Sequence, residues 1–509
     1  MVGRAYRNLV AALLVTAAVL RAPSLARAAD LSAGDTQPVV PTPSWPYLRT
    51  ALEEAAAFAV QAAWYWGHMK HWSPDDVRFT WKTWREKLFS DDYLVFDDDR
   101  FRTGGLGHPL AGAFYYQIAR GNGFSAGGSF AASVIMSTIW QYLGEWNTKP
   151  SINDLVITPA AGWVIGEATF RLGRVFAAGE PSAVNCIGAV LFSPTASLND
   201  ARVCHGRPNQ PPFDRWGFPG RTWYDLQLQL GAAHTVFDQN QARDELVAGL
   251  AARVTTSSAY RQPGAGTVTA TPGQWTSISG RGFLDSGSLR GEFLHADSLL
   301  AGRYARQYGE RDAAGRGPDG RGVLFGLGSM FDYDVRDLPV GWDRMATAGV
   351  LGPVAELEAR HGLVAVHVWL EAAYAFGQIT SLAYEQTRTT FANVYIRSEL
   401  KHHDYYYGQG VVSDGAIELE LGDFRLAFGG RGGSYWSFNS RDTNQSRIQD
   451  NFSLHDTRVY LQSVASIQPR RSPLRLSIEL DEDLRESVIP RTVFHSVERR
   501  LMGSAMLVF

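Results

Sequence analysis

The second half of the chain, residues 222–509, repeatedly alternates apolar and polar residues with a period of two. This period is typical of β-strands that bury one face. The clearest runs are 364–376, 416–428 and 474–480. Runs of this kind predict about twelve antiparallel strands, and roughly ten to fourteen are compatible with the pattern.

One of these runs contains its own turn. Gly422-Asp423 separates two alternating stretches and suits a two-residue hairpin turn. In that register Glu420 lies opposite Arg425, which is a favourable cross-strand pair. The other face of the hairpin is apolar throughout, so it needs an apolar partner.

That partner is either a second sheet or lipid, and the two ends of the chain favour lipid. Residues 1–29 have the basic, apolar and small-residue regions of an export signal. The last residues form an amphipathic strand closed by Phe509, which resembles the terminal strand of outer-membrane barrels. The expected fold is therefore α+β, an N-terminal α-helical domain followed by a transmembrane antiparallel β-barrel with a charged lumen. Tyr405–Tyr407 are expected in an interfacial aromatic girdle, and His402–Asp404 in a loop.

Residues 46–178 show helical rather than strand periodicity. Four helices are predicted, at about 51–66, 108–120, 128–146 and 160–174. No run in this region reaches the ~20 continuous apolar residues that a spanning helix needs. The helical domain is expected to lie in the periplasm or to plug the barrel lumen.

The remaining segments give the domain order. A signal peptide (1–29) and a flexible leader (30–45) precede the helical domain (46–178), a connector (179–221) and the barrel (222–509). Cys186 and Cys204, the two cysteines of the chain, both lie in the connector. In an exported protein such a pair is expected to form a disulfide, the alternative being two inert buried thiols.

Composition excludes several classes of function. Charged residues make up 19% of the chain and aromatic residues 12%, with 51 glycines, as suits strands that face lipid. The net charge of −3 gives no argument for nucleic acid. No phosphate loop, G-x-S-x-G elbow or C-x-x-C motif occurs, and no cofactor is expected. His68 and His71 lack partners at zinc spacing, so no metal site is expected either.

The helical region carries polar residues that would be costly to bury unpaired. His108, Glu145 and Asp154 are the candidate catalytic residues, with His108 as general acid or base. The accompanying polar or ligand-binding residues are Tyr116, Arg120, Asn122, Asn153 and Glu167. Perturbed ionisable groups gather at functional sites, so these residues are expected to meet in one cluster.

The same residues also have structural interpretations. His108 can start a helix, and Ser151 or Asn153 suits a helix N-cap. Glu167 and Arg171 have the i,i+4 spacing of a structural ion pair. The sequence leaves both interpretations open.

Residues 97–174 resemble the core of an uncharacterised family of Gram-negative envelope proteins, known as a domain of unknown function. The pieces that carry the resemblance are Asp98-Asp99-Arg100-Phe101, Gly107-His108-Pro109, Gly112, Tyr115-Tyr116, Ala119-Arg120-Gly121-Asn122-Gly123, Trp140, Gly144-Glu145, Pro150-Ser151-Ile152-Asn153-Asp154-Leu155 and Gly166-Glu167. The chain departs at Gln141, where the family shows an acid. The resemblance implies no activity.

A fainter similarity is to the VanZ-like helical envelope proteins. They share a histidine on one helix, a Trp-acid pair on the next and a Ser-x-x-Asp-Leu turn before a glycine-rich helix. This is a likeness of fold and says little about function.

Three functions fit these observations. A barrel in the outer membrane with a role in envelope lipid handling or transport ranks slightly ahead, because no nucleophile is identifiable. The alternatives are an enzyme that modifies lipid or lipopolysaccharide through His108 and a nearby acid, and a structural factor in envelope assembly. The expected partners are outer-membrane lipids and the barrel-assembly machinery, with no nucleic acid.

Overall fold

The computed structural model describes residues 44–68, 80–89, 94–200, 204–205, 213–220, 222–238, 241–310, 319–391, 393–438, 448–469 and 472–509. The predicted signal peptide, most of the predicted leader and His71 lie outside these residues.

The second half of the chain forms strands, as the alternation predicts. Their bounds are β1 Trp223–Phe237, β2 Ala242–Thr255, β3 Gly264–Ala270, β4 Trp275–Asp285, β5 Ser288–Tyr308, β6 Gly320–Leu338, β7 Gly341–His361, β8 Val364–Thr380, β9 Tyr405–Leu421, β10 Phe424–Ser437, β11 His455–Ile467, β12 Leu474–Ile489 and β13 Thr492–Val508.

These strands close into a ring. Each is antiparallel to its neighbours, β1 pairs with β13, and β5 pairs with β6. β3 and β4 both pair with β5, along successive parts of its length, and Thr271–Gln274 lie between them. Together, β3 and β4 therefore occupy a single strand position in the ring. The ring therefore has twelve positions, and the predicted antiparallel barrel of about twelve strands is confirmed.

The hairpin predicted from the sequence is present in the expected register. β9 and β10 are joined by Gly422-Asp423, and Glu420 is the partner of Arg425. Gly422 has a φ of +66°, a left-handed conformation that glycine adopts without steric cost.

Charged side chains face the lumen and pair across it. Arg336 of β6 lies 3.1 Å from Asp483 of β12, six positions away in a ring of twelve, and 2.9 Å from Glu498 of β13. Arg458 of β11 reaches back to Asp334 of β6 at 3.0 Å. Only a route through the interior joins strands on opposite sides of a barrel, so these residues define the inward face.

The opposite face of the strands is apolar. Leu230, Phe325 and Ile478 are 69%, 66% and 61% exposed, and each alternates with inward-facing neighbours. This is the expected arrangement of a barrel with apolar residues outside and polar residues inside.

The first half of the chain is helical. The bounds are α1 Pro46–His68, α2 Trp81–Phe89, α3 His108–Gly121, α4 Ala126–Ile139, α5 Ile152–Ala177, α6 Ala183–Phe192 and α7 Pro194–Asn199, with π-helical turns at Thr103–Gly107 and Trp140–Gly144. Two short helices, α8 Leu382–Thr387 and α9 Ser398–His403, and a 3₁₀ turn at Arg388–Phe391 lie in the connection between β8 and β9.

Two details of the first half differ from the sequence-based expectation. α5 begins at Ile152 rather than near residue 160, because the hydroxyl of Ser151 accepts a hydrogen bond from the Asp154 amide and caps the helix. The connector is not irregular throughout, since it contains α6 and α7. The expected disulfide between Cys186 and Cys204 is present, with the two Cα atoms 5.0 Å apart.

α3 and α5 run side by side in the same direction at very short range. A Cβ added to Gly112 would lie 1.8 Å from the carbonyl oxygen of Thr158. One added to Gly162 would lie 2.4 Å from the carbonyl carbon of Gly112. The two glycines therefore permit backbone contact that any larger residue would prevent. This contact sets the His108 end of α3 beside the Asp154 end of α5.

The helices pack against the outside of the barrel. On β6, Phe331 and Tyr333 join a buried core with Ile157 and Ala161 of α5. The alternating residue Asp332 faces the lumen and pairs with Arg431 of β10 at 2.9 Å. Since side chains alternate across a strand, the helix core lies on the outward face.

β9 gives the same result. Tyr406 donates a hydrogen bond to Asp456 on the lumen side, at 2.8 Å. Tyr405 and Tyr407 point the other way and are buried against the helical domain. The sequence predicts helices in the periplasm or inside the lumen. The contacts in the structure are instead with the outer wall of the barrel.

α5 follows this wall over most of its length. Near its C-terminal end, Leu172 and Val175 pack against Leu226 of β1 and Val254 of β2. Its first turn lies near Tyr407, at the opposite end of the barrel. Its 26 residues span about 39 Å at 1.5 Å per residue. Within the described residues, no helix is both long and apolar enough to cross a membrane.

Candidate functional site

The candidate site lies where the N-terminal ends of α3 and α5 meet the rim of the barrel. His108 is the first residue of α3 and directly follows the π-helical turn Thr103–Gly107. Glu145 directly follows the second π-helical turn, Trp140–Gly144. Such turns shift the direction of the side chains that follow them and are frequent at functional sites.

His108 is at the centre of the site. Its Nε2 lies 3.2 Å from Oδ2 of Asp99 and 3.4 Å from Oδ2 of Asp154. The side chain of Asp154 is 4% exposed and that of His108 11%, whereas that of Asp99 is 41% exposed. The site is therefore closed on the Asp154 side and open to solvent at Asp99.

Two amide side chains fix the carboxylate of Asp154. Nε2 of Gln141 donates a hydrogen bond to Oδ2 at 2.9 Å, and Nδ2 of Asn153 donates one to Oδ1 at 2.8 Å. The Oε1 of Gln141 accepts a hydrogen bond from the backbone amide of Ser151 at 2.7 Å. Gln141 thus places an amide where it orients Asp154.

Asp97 is a further, partly buried acid of the site. Its Oδ1 accepts hydrogen bonds from Nδ2 of Asn153 at 3.1 Å and from the hydroxyl of Tyr407 at 2.9 Å. Residues 94–99 reach this position because Val95 forms a parallel β-bridge with Ser151. The bridge fixes the segment before α3 beside the start of α5.

The barrel completes the site from its outer face. The Tyr405 hydroxyl donates a hydrogen bond to the backbone oxygen of Asp99 at 2.7 Å, and Nε2 of Gln378 donates one to the Tyr407 hydroxyl at 2.9 Å. Nδ1 of His402, at the end of α9, lies 2.7 Å from Oδ2 of Asp98. Tyr405 and Tyr407 are thus buried site residues and not the interfacial girdle that the sequence predicts. His402 lies in the last turn of α9 rather than in the predicted loop.

Glu145 lies at the back of the site. Its carboxylate accepts hydrogen bonds from Nε1 of Trp140 at 3.0 Å and from Nε2 of Gln141 at 3.2 Å. The ammonium group of Lys87 donates hydrogen bonds to the backbone oxygens of Gln141 and Glu145. Glu145 is therefore linked to Asp154 through Gln141, as two acids that share one amide.

Burial and like charges shift the pKa values of this cluster. Burial, and next the charge of Asp99, raise the pKa of Asp97 to about 6. Burial also raises the pKa of Glu145 to about 7, although the charge of His108 opposes it. Burial lowers the pKa of His108, but the carboxylates of Asp154 and Asp99 outweigh burial and raise it to about 10. Burial raises the pKa of Asp154 as well, against the charge of His108. The imidazolium is thus held between acids that are costly to ionise together.

Arg120 and Glu167 form a second group farther along the same helices. The Glu167 carboxylate accepts hydrogen bonds from Tyr116 at 2.6 Å, from Nε of Arg120 at 2.9 Å and from Nε of Arg171 at 2.8 Å. Twelve residues of helix separate His108 from Arg120, which is about 18 Å. The single cluster expected from the sequence is therefore divided, because parallel helices hold their two ends apart.

Asn122 belongs to a third group, with α1 and α7. Its Nδ2 donates a hydrogen bond to Oε2 of Glu53 at 2.6 Å, and its Oδ1 accepts one from Asn199 at 3.4 Å. These contacts join three helices. Of the eight expected site residues, His108, Glu145, Asn153 and Asp154 meet at the rim of the barrel.

Sequence reasoning passed over Asp97 and Asp99 as site residues, although both lie in the segment that carried the family resemblance. Tyr405 and Tyr407 gave a weaker signal, since their spacing shows only that they share one face of a strand.

The comparisons with known proteins identify one family match, within the first half of the chain. Residues 93–195 match a family described as "Domain of unknown function (DUF3943)". The chain contains a DUF3943 domain. This domain includes α3, α5 and the acids of the site, and the resemblance inferred from the sequence is confirmed. No curated protein matches the chain.

Solved structures similar to this chain include outer-membrane proteins. The NanC porin is 10% identical, with 54% of this chain and 98% of that chain covered at a TM-score of 0.20. The CymD monoaromatic hydrocarbon channel is 9% identical, with 56% and 88% covered at 0.22. The outer membrane channel DcaP of Acinetobacter baumannii is 8% identical, with 59% and 99% covered at 0.21. At these scores the likeness carries no inference about the activity of this chain.

Proposed function

We propose that this protein is an outer-membrane β-barrel that handles lipid headgroups at a site on its outer wall. One observation carries the proposal: Tyr405 and Tyr407 reach from the outward face of β9 into the cluster around His108. A site built on the outer wall lies on the lipid side of a membrane barrel. Its acids and imidazole supply hydrogen bonds and charge to a polar headgroup, and solvent-exposed Asp99 marks the opening.

Support for a membrane location comes from the barrel itself. The ring has an even number of positions, and its outward face exposes large apolar side chains such as Leu230 and Phe325. A continuous apolar band of this kind is costly in water and favourable in lipid. The helical domain continues the band, since Leu110 and Phe114 of α3 and Ile187 and Leu191 of α6 are also exposed.

The lengths of the connections support an orientation. The two longest separations in sequence between consecutive strands lie between β8 and β9 and between β10 and β11, and β8 and β10 both end at the end of the barrel that carries the site. Long loops of bacterial barrels are extracellular and their short turns periplasmic. The site then faces the outer leaflet, where headgroups of envelope lipids meet the rim.

The lumen gives less support to a channel. Two of its cavities, of ≈ 300 and ≈ 510 Å³, are lined by arginines and acids. The Arg336–Asp483 pair crosses the full diameter, so passage of a solute requires buried ion pairs to break.

The test uses a deletion strain complemented with wild-type protein, His108→Ala or His495→Ala. His495 is an exposed histidine of β13 and serves as the matched control. We expect deletion and His108→Ala to change the headgroup composition of outer-membrane lipids, measured by mass spectrometry, while His495→Ala does not. Heat-modifiable migration checks that each barrel is folded. An unchanged lipid profile on deletion, together with stepwise conductance of the pure protein in planar bilayers, would favour a channel instead.

An enzyme that modifies the lipid is the second candidate. The observation in its favour is the 3.2 Å contact between His108 Nε2 and the exposed carboxylate of Asp99. A general acid or base needs a partner at hydrogen-bond distance, and this pair meets that requirement. A new lipid product that accumulates with time on pure protein, and not with His108→Ala, distinguishes catalysis from binding.

A further inference from the structure

Asp99, His108 and Asp154 offer one nitrogen and two oxygen ligands at one point. Among the described residues, this group brings its ligand atoms within 4.8 Å of one another. The residues come from a loop and from the first turns of two helices, which are held in place by the contact of Gly112 with α5.

The spacing of the ligand atoms fits a bound ion. Nε2 of His108 is 3.2 Å from one carboxylate oxygen and 3.4 Å from the other. An ion that holds nitrogen and oxygen at ~2.0–2.2 Å in tetrahedral geometry places its ligands about 3.4 Å apart. A direct charge-assisted hydrogen bond is usually shorter, at about 2.7–2.9 Å.

A second layer of side chains orients these ligands. Gln141 and Asn153 donate hydrogen bonds to the two oxygens of Asp154, and both amides are buried. Metal-binding carboxylates are usually held in this way, and the loss of such a contact weakens metal affinity by about 10–100-fold.

The charge of the site also favours a cation. Asp97, Asp99, Glu145 and Asp154 surround one imidazole, and Lys87 is the basic residue at the Glu145 side. Carboxylates buried at such short range repel one another unless protons or a cation compensate them. A divalent ion bound by His108 and the two aspartates displaces the imidazole proton to solvent and supplies one more positive charge than the imidazolium does.

We propose that Asp99, His108 and Asp154 bind one divalent cation of the zinc or manganese class. Imidazole suits zinc, and carboxylates suit both ions. The open side at Asp99 leaves coordination positions for water or for an anionic oxygen of a headgroup. The inference replaces the sequence-based expectation of no metal, and it rests on the proposed function for the role of the ion.

The experiment uses the full chain, folded in detergent, stripped with a chelator and titrated with ZnCl₂ or MnCl₂ alone. Bound metal is counted by mass spectrometry after desalting. We expect one ion per wild-type chain and an affinity at least tenfold weaker in Asp99→Asn and His108→Gln. The matched control is Asp244→Asn in β2, an exposed aspartate that contacts His234 of β1 and lies outside the site. This control should bind as the wild type does.

The Asp99→Asn change should leave folding intact, because Asp99 is partly exposed and asparagine has the same size. Wild-type protein that retains no stoichiometric ion overturns the metal site. The metal site is also rejected if Asp99→Asn and His108→Gln both bind the ion as tightly as the wild type does. The metal site and the proposed function can fail separately. If the protein binds no ion but His108→Ala changes the lipid profile, only the metal site is rejected. If the protein binds an ion but neither deletion nor His108→Ala changes the lipid profile, only the proposed function is rejected.

Discussion

The hydroxyl of Tyr407 lies 2.9 Å from Oδ1 of Asp97, a contact between residues 310 apart in sequence. It connects an outward-facing strand position with the segment that precedes α3. The helical domain and the barrel thus share one polar site, and neither contains it alone.

This relationship predicts that Tyr407→Phe weakens the attachment of the helical domain to the barrel. Asp97 loses a hydrogen bond in a buried setting, which costs about 1–3 kcal/mol. We expect faster amide exchange in residues 94–121 with unchanged heat-modifiable migration. Tyr406→Phe is the control, since Tyr406 faces the lumen and bonds to Asp456. Equal effects of the two changes would contradict the outward position of Tyr407.

Gly112→Ala is predicted to separate α3 from α5. The new Cβ would meet the backbone oxygen of Thr158 at 1.8 Å, and backbone cannot move aside as a flexible side chain can. We expect a loss of about 3 kcal/mol, the upper part of the range for overpacking, in denaturant unfolding of the helical domain. Gly127→Ala in α4 is the control, because its Cβ meets nothing within 4 Å. A stable Gly112→Ala protein would show that the helices are farther apart.

Glu167→Gln is predicted to destabilise the middle of the helical domain. The change leaves Arg120 and Arg171 without their buried counter-charge. We expect the free energy of unfolding to fall by about 3–5 kcal/mol, as it does when one partner of a buried ion pair is removed. The measurement is the denaturant midpoint followed by tryptophan fluorescence. Glu180→Gln, at an exposed position, should leave the midpoint unchanged.

Glu54 is predicted to make the packing of α1 depend on pH. Burial, and next the charge of Glu53, raise the pKa of Glu54 to about 9, and both carboxylate oxygens lack a hydrogen-bond partner among the described residues. Folding raises the pKa of this acid, so its burial does not lower the free energy of unfolding below the unfolded-state pKa of about 4.5. Above that pH the free energy of unfolding falls steadily as pH rises toward 9. The cost at pH 7 is on the order of 3 kcal/mol.

Glu54→Gln should remove that dependence. We expect amide protection of α1, corrected for intrinsic exchange rates, to fall from pH 5 to pH 8 in the wild type and to stay level in the variant. A variant that loses protection as steeply as the wild type would show that Glu54 is not the titrating group.

Loss of the disulfide should loosen the connector more than the barrel. Replacing Cys186 and Cys204 by serine opens a loop whose closure is worth about 3 kcal/mol at this size. We expect faster exchange in α6, with barrel migration unchanged, because the strands are tied by their own ladders. Unreduced, denatured wild-type protein should have no free thiol, and full labelling of both cysteines would contradict the bridge.

Much of the fold was determined by the sequence alone. The hairpin at Gly422-Asp423, with Glu420 opposite Arg425, follows from period-two alternation and a turn pair, both of which are local. The Glu167–Arg171 pair follows from a spacing within one helix, and Ser151 is one of the two caps that the sequence offers. Patterns of this kind are set by neighbours in the chain, so they can be read without the fold.

The tertiary structure decided which sides of these elements meet. Alternation shows that Tyr405 and Tyr407 share a face, but only closure of the ring shows that this face is outside. The acids at 97, 99 and 154 become neighbours because Gly112 and Gly162 let two helices touch and Val95 pairs with Ser151. The same parallel packing keeps Arg120 about 18 Å from His108. Such contacts join residues far apart in sequence, and no local period encodes them.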